Sequence, residues 1–237
     1  MDPAAHILHH GADSAALLAA QRADPHAPAW AGTGWDRSDL LAHVAGVHAW
    51  VRAQLRLGPG ERIRFSTVEG PPEGDELPAW FEAGAADLVE LLGAMDVDAT
   101  WPTWAGPQPG TFFPRRMAQE TAVHRWDGVG GALDAELAVD GIDELLELFA
   151  PRIPPERLAG ADASIHLHAT NTDGEWLVRL QADGIAFEHG HAKGDVALRG
   201  RAEDLLLWTW NRVPVDDRFE VFGDHAPLEA WRTAVTF

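Results

Sequence analysis

The chain has 237 residues, 46% hydrophobic and 23% charged, a globular composition with room for one large or two modest domains. It contains no cysteine and no tyrosine, which excludes a cysteine nucleophile, a disulfide, a thiolate metal site and a tyrosine general acid. With 18 Lys and Arg against 37 Asp and Glu, the net charge of −19 repels nucleic acid and anionic membranes.

In chain order, the pattern predicts a first helix over about Ala4–Arg22, with Ile7, Leu8, Leu17 and Leu18 as its apolar contacts. A second begins after Asp36, whose carboxylate suits the free amides of a first turn. It carries the stripe Leu40, Val44, Val47, Val51 and Leu55, and stops at Gly58. A third helix starts near Pro78 with Phe81, Leu88, Leu92 and Met95. The Pro- and Trp-containing stretch Asp96–Phe113 reads as a long loop. Pro114 then suits the start of a fourth helix reaching about Gly130. Asp140 is placed as the cap of a fifth segment bearing Ile142, Leu145, Leu146 and Phe149. The three prolines of Ala150–Gly160 read as a linker.

Beyond it the periodicity changes from helical to alternating. Ile165, Leu167 and Ala169, then Trp176, Val178 and Leu180, alternate with polar residues around an Asn171–Gly174 turn. Further strands are predicted at Ile185–Phe187, Val196–Leu198 and Phe219–Phe222, with helices over Ala202–Asn211 and from Pro227. The reading is a helical bundle over residues 1–150 and a small α+β domain over 151–237. No apolar run approaches the ~18 residues of a membrane span, and the N-terminus lacks a signal-peptide pattern, so a cytoplasmic protein is expected.

Without Cys or Tyr, chemistry falls to the 12 histidines. Glu120 and His124 stand one helical turn apart and project from one face, a spacing that lets two side chains share an ion. The spacing alone carries little information, because about one such pair arises by chance in this composition. His43 on the second helix can meet them inside a bundle, giving three ligands with open positions. A seam histidine and a surface Glu–His pair are the alternative reading. Asp127 can orient His124, and Arg115, Arg116 and Arg125 can hold an anionic substrate. His6/His10, His166/His168 and His189/His191 form further pairs, read as structural, although four imidazoles would cluster if the two strand pairs were neighbours. His48 has no partner pattern. No nucleophile elbow, dinucleotide-binding glycine motif or Walker loop is present.

Gly34-Trp35-Asp36-Arg37-Ser38-Asp39-Leu40-Leu41-Ala42-His43-Val44 resembles the first signature of the mycothiol-dependent maleylpyruvate isomerase family. Glu120-Thr121-Ala122-Val123-His124-Arg125-Trp126-Asp127 resembles its second, and Asp204–Trp208, Asn211-Arg212 and Glu220–Asp224 are similar to its C-terminal domain. The resemblance implies a DinB-like four-helix bundle followed by a small sterol-carrier-like (SCP2-like) α/β domain. It implies a divalent metal, typically zinc, on His43, Glu120 and His124, mycothiol as a small-molecule cosubstrate, and Arg212 as a catalytic arginine. The implied reaction is cis–trans isomerisation or thiol S-transfer on a small, anionic substrate, with no nucleic-acid or membrane partner. Two other readings stand beside it: a bundle metallohydrolase that needs no thiol, and a non-catalytic protein binding a metal and an apolar ligand. The His-rich first helix and the 96–113 loop depart from the family pattern.

Overall fold

The computed structural model describes residues 1–236, which divide into two compact units, the first Met1–Gly131 and the second beginning at Ala132. The first is a four-helix bundle of α1 (Pro3–Ala23), α2 (Arg37–Leu57), α3 (Leu77–Ala94) and α4 (Phe112–Val129). Several of their ends are explained locally. Asp2 caps α1 by accepting from the Ala5 amide at 2.8 Å. Asp36 and Asp39 close a reciprocal capping box on α2. Gly58 and Gly130, at φ 90° and 72°, follow α2 and α4 in the left-handed region that glycine tolerates.

Helix α1 packs on α3 and α4, and α2 packs on the same two helices. Leu17, Leu40, Leu41, Val44, Phe81, Leu88 and Met117 are sealed between them. Gly128 sits where a side chain would press on Leu17 and Leu40, so its lack of Cβ lets α4 close against α1 and α2. The structure departs from the sequence pattern in two places. The buried face of α1 carries His6, His10, Ser14, Leu17 and Gln21, while Leu8 is exposed. The bundle interior opposite that face is itself polar, so the helix turns its hydrogen-bonding groups inward. The 96–113 loop contains a hairpin, β1 (Thr100–Thr103) against β2 (Gly106–Pro109). Pro102, Pro107 and Pro109 argue against strands in a central position, but an isolated two-stranded ribbon leaves their missing donors toward its edges.

The second unit opens with α5 (Ala135–Glu144), capped by Asp134 rather than Asp140, and runs on through a π turn at Leu145–Phe149. A five-stranded sheet follows, made of β3 (Asp162–Ala169), β4 (Glu175–Gln181), β5 (Gly184–His189), β6 (Val196–Gly200) and β7 (Glu220–Gly223). The spatial order is β5-β4-β3-β6-β7, antiparallel except for the parallel β3–β6 pair. Helices α6 (Ala202–Thr209) and α7 (Ala226–Ala234) complete it. One face of the sheet buries Ile165, Leu167, Trp176, Val178, Leu180, Val196 and Leu198, as alternation predicts. Trp208 stacks on Trp231 with centroids 5.7 Å apart, and the Trp176 indole donates to Asp143 at 2.6 Å. The proline-rich 150–160 stretch is not the divide. Ile153 and Leu158 are buried and α5 packs on α6, so the chain passes from one unit to the other at Gly131. Among the described residues, no helix is long and apolar enough to cross a membrane.

Asp36→Ala removes the α2 capping box and should lower bundle stability by about 1 kcal/mol. A urea-unfolding midpoint checks this, against His26→Ala as a control. His26 also bonds Asp36, but from an exposed position, and its removal should leave the midpoint nearly unchanged.

Candidate metal centre

Helices α2 and α4 bring His43, Glu120 and His124 together, with one potential ligand atom from each within 4.8 Å of the others. His43 Nε2 lies 3.5 Å and His124 Nε2 lies 3.4 Å from the same carboxylate oxygen, Glu120 Oε1. Ligand atoms about 2.1 Å from a tetrahedral zinc-type ion stand about 3.4 Å apart, so this spacing fits such an ion better than it fits direct hydrogen bonds. The other carboxylate oxygen, Oε2, accepts from Arg116 at 2.9 Å. His124 Nδ1 is held by the buried Asp127 carboxylate at 2.9 Å, which leaves Nε2 facing the centre. The donor set of two imidazoles and one carboxylate is one that zinc-class ions accept.

The electrostatics follow from burial. Desolvation alone would raise the Glu120 carboxyl, but His124, His43 and Arg116 overcome it and hold the group well below its usual range. Burial likewise pushes His124 down, and the Glu120 charge together with the Asp127 hydrogen bond reverses the shift, raising it to about 9. The two carboxylates thus favour a positive charge between them. His43 is 35% exposed against 7% for His124, so the centre opens on the α2 side.

The α1–α2 loop covers part of this group. Ala29 N–H bonds the Trp35 carbonyl, Arg37 Nε reaches the Gly128 carbonyl, and Trp30 N–H bonds the Asp127 carbonyl at 3.1 Å. These bonds set the Trp30 ring 5.1 Å from His124 and the Trp35 ring 5.3 Å from His43. Trp30 adopts φ 46°, a strained conformation for an aromatic residue, and it does so beside the centre. Trp30 escapes detection in the sequence because it belongs to no periodic element.

Deeper in the bundle, Thr121 Oγ1 lies 3.0 Å from His10 Nδ1 and 3.2 Å from His48 Nε2, and the two imidazoles meet edge to face at 4.8 Å. Burial lowers His10 to about 4 and His48 well below 6.5, so both are neutral at physiological pH. Sequence reasoning missed this triad. Its only signal was three polar residues facing inward from three helices, visible once each helix's orientation is known. Two arginines expected to serve substrate are otherwise engaged: Arg116 on Glu120, and Arg125 on Asp13 and the Gly130 carbonyl. Arg212 lies in the second unit just after α6, with its guanidinium on the Trp210 carbonyl at 3.1 Å.

Fold and site together define a two-unit protein in which a helical bundle carries a partly buried His/Glu/His cluster and an α+β unit follows. Residues 7–127 match the family model for the mycothiol maleylpyruvate isomerase N-terminal domain, and residues 136–230 match that for its C-terminal domain. The chain therefore belongs to the mycothiol-dependent maleylpyruvate isomerase family. It is 31% identical over 160 residues to an uncharacterized protein of Mycobacterium tuberculosis, Rv0738, covering 64% of this chain and 82% of that one. Its fold matches the crystal structure of a mycothiol-dependent maleylpyruvate isomerase with a TM-score of 0.65, at 14% identity over 93% of both chains. A histidine-to-alanine mutant of that enzyme matches with a TM-score of 0.66.

Asp127→Ala should free the His124 ring, and affinity of the His43/Glu120/His124 cluster for added zinc, read by competition with a chromophoric chelator, is expected to be about ten- to a hundred-fold lower than the parent's. A second outcome concerns pH. His10 is neutral in the fold and titrates near 6.5 when unfolded, so its contribution is complete above pH 6.5 and is lost as pH falls toward about 4. That loss should reach about 3 kcal/mol for His10. Chemical denaturation of His10→Gln should show a shallower decline than the parent between those limits.

Proposed function

We propose that the chain is a metal- and mycothiol-dependent enzyme, a cis–trans isomerase or thiol S-transferase acting on a small anionic substrate. The observation that carries this reading is the convergence of His43, Glu120 and His124 on one point in a chain of this family. The two Nε2 atoms and Glu120 Oε1 would hold a divalent ion, zinc by its donor set. Such an ion, when bound, lowers the pKa of a thiol that reaches it, which matters because a free thiol is only a few per cent thiolate at neutral pH.

The chain's own residues prepare that site. Arg116 fixes Glu120 so that one oxygen faces the centre, and Asp127 fixes the tautomer of His124. Trp30 and Trp35 exclude water from one side, and the partly exposed His43 marks the side of approach. No protein thiol competes, since the chain has no cysteine. In the isomerase reading, the external thiol adds across a cis double bond, which becomes single and rotates. Elimination of the thiol, its sulfur leaving one carbon and one proton the other, then gives the trans product. Arg212 is proposed as the cation that steadies the substrate's carboxylate. The same proposal includes a cytoplasmic location, where a low-molecular-weight thiol is available, and a sterol-carrier-like role for the α+β unit as a substrate platform.

Turnover of a cis-unsaturated dicarboxylic acid by the zinc-loaded protein should require mycothiol and disappear when it is omitted. Glu120→Gln should reduce kcat/KM at least a hundred-fold, with loss of bound zinc measured on the same sample. Undiminished turnover without the thiol would overturn this reading in favour of hydrolysis.

A further inference from the structure

The second unit holds another convergence of ligand-type side chains, independent of the bundle centre and of the reading given to it. His166, His168, Glu175 and His191 each bring a ligand atom within 4.8 Å of the others. Glu175 is the hub: its Oε1 lies 2.7 Å from His168 Nδ1, and its Oε2 lies 3.0 Å from His191 Nδ1 and 3.3 Å from His166 Nε2.

Sheet register explains why these four meet. His168 on β3 sits directly opposite Glu175 on β4, and His166 lies two residues along on the same face, since alternation turns Ile165 and Leu167 to the buried side. The chain leaving β5 supplies the fourth. Gly190 N–H bonds the Glu175 carbonyl at 3.0 Å, and φ 111° at Gly190 turns His191 back over the sheet. Gly194 then passes so close to β3 that a Cβ there would stand 2.9 Å from the His166 amide nitrogen. Asp195 closes the loop by accepting from the Ser164 amide and hydroxyl, both at 2.7 Å. The backbone is thus built to bring His191 to a pair of strand histidines.

We propose that His166, His168, Glu175 and His191 form a second binding site for a divalent transition ion of the zinc class. Three imidazoles and one carboxylate suit such an ion, whereas magnesium and calcium prefer all-oxygen sets. Three ligands stand on paired strands and are pre-positioned, and His191, 81% exposed, is the one that closes on the ion. A cleft of about 390 Å³ beside His166 and His191, bordered by Lys193 and Phe222, leaves room for the ion's water. The expected consequence is an ordered 190–195 loop.

Equilibrium dialysis of the tag-free full-length chain against zinc chloride, after chelator treatment, tests the assignment. The parent should bind two ions, the double variant His43→Ala/His124→Ala one, and His166→Ala/His168→Ala one. Retention of two ions by the last variant overturns the proposal, as does binding of none by the bundle variant. Should the bundle bind no ion, the parent would bind one, which His166→Ala/His168→Ala would lose; that outcome still supports the sheet site. His191→Ala, at an exposed loop position that cannot affect folding much, should weaken zinc binding in the bundle-null background at least ten-fold; unchanged affinity overturns the proposal. In the same background, zinc should slow amide exchange over residues 190–195, and no change there counts against it.

Discussion

The bundle is organised around one largely enclosed carboxylate, its side chain 18% exposed. Glu120 projects into a protein interior where an isolated charge costs several kcal/mol, and the fold answers by placing His43, His124 and Arg116 against it. That requirement propagates. Arg116 needs the position one turn before Glu120, His124 the position one turn after, and His43 must come from a second helix. Asp127 must then stand where it can hold His124. Helix α2 therefore meets α4 through the His43–Glu120 contact as well as through apolar packing.

The same logic accounts for the composition of α1. An ordinary bundle helix turns leucines inward, but α1 turns His6, His10, Ser14 and Gln21 inward with Leu17. Thr121, one residue after Glu120 on α4, offers its hydroxyl to His10 and His48, and neutral imidazoles satisfy it without adding charge beside the centre. Polar specificity is concentrated in the layer next to Glu120. The apolar layer of Leu40, Leu41, Phe81 and Leu88 carries the hydrophobic contribution to stability.

Much of this was legible in the sequence, and the pattern of what was not is instructive. The four long helices, the sheet strands and the triad of His43, Glu120 and His124 follow from periodicity, caps and paired signatures, because those signals are local. The orientation of α1 was not legible: Ile7 and Leu8 outweigh histidines on any hydropathy scale, and only α4 reveals that the interior is polar there. Asp140 reads as a cap but lies inside α5, which starts earlier, after Asp134, whose carboxylate accepts from the Leu137 amide. The Pro-rich 150–160 stretch looks like a linker because prolines break helices, yet Ile153 and Leu158 bury it. The sheet cluster illustrates the same limit from the other side. His166/His168 and His191 were visible as residues, but their meeting at Glu175 required strand register.

Asp127 bonds twice, and the two bonds face different structures. Its side chain holds His124, and its main-chain carbonyl holds the amide of Trp30, whose left-handed backbone stores about 1–2 kcal/mol of strain. The covering loop and the His124 imidazole are thus fastened to one residue. A change at Asp127 is therefore felt at both, and by reciprocity whatever seats the loop also holds the imidazole. Cover and ring orientation are two ends of one tether.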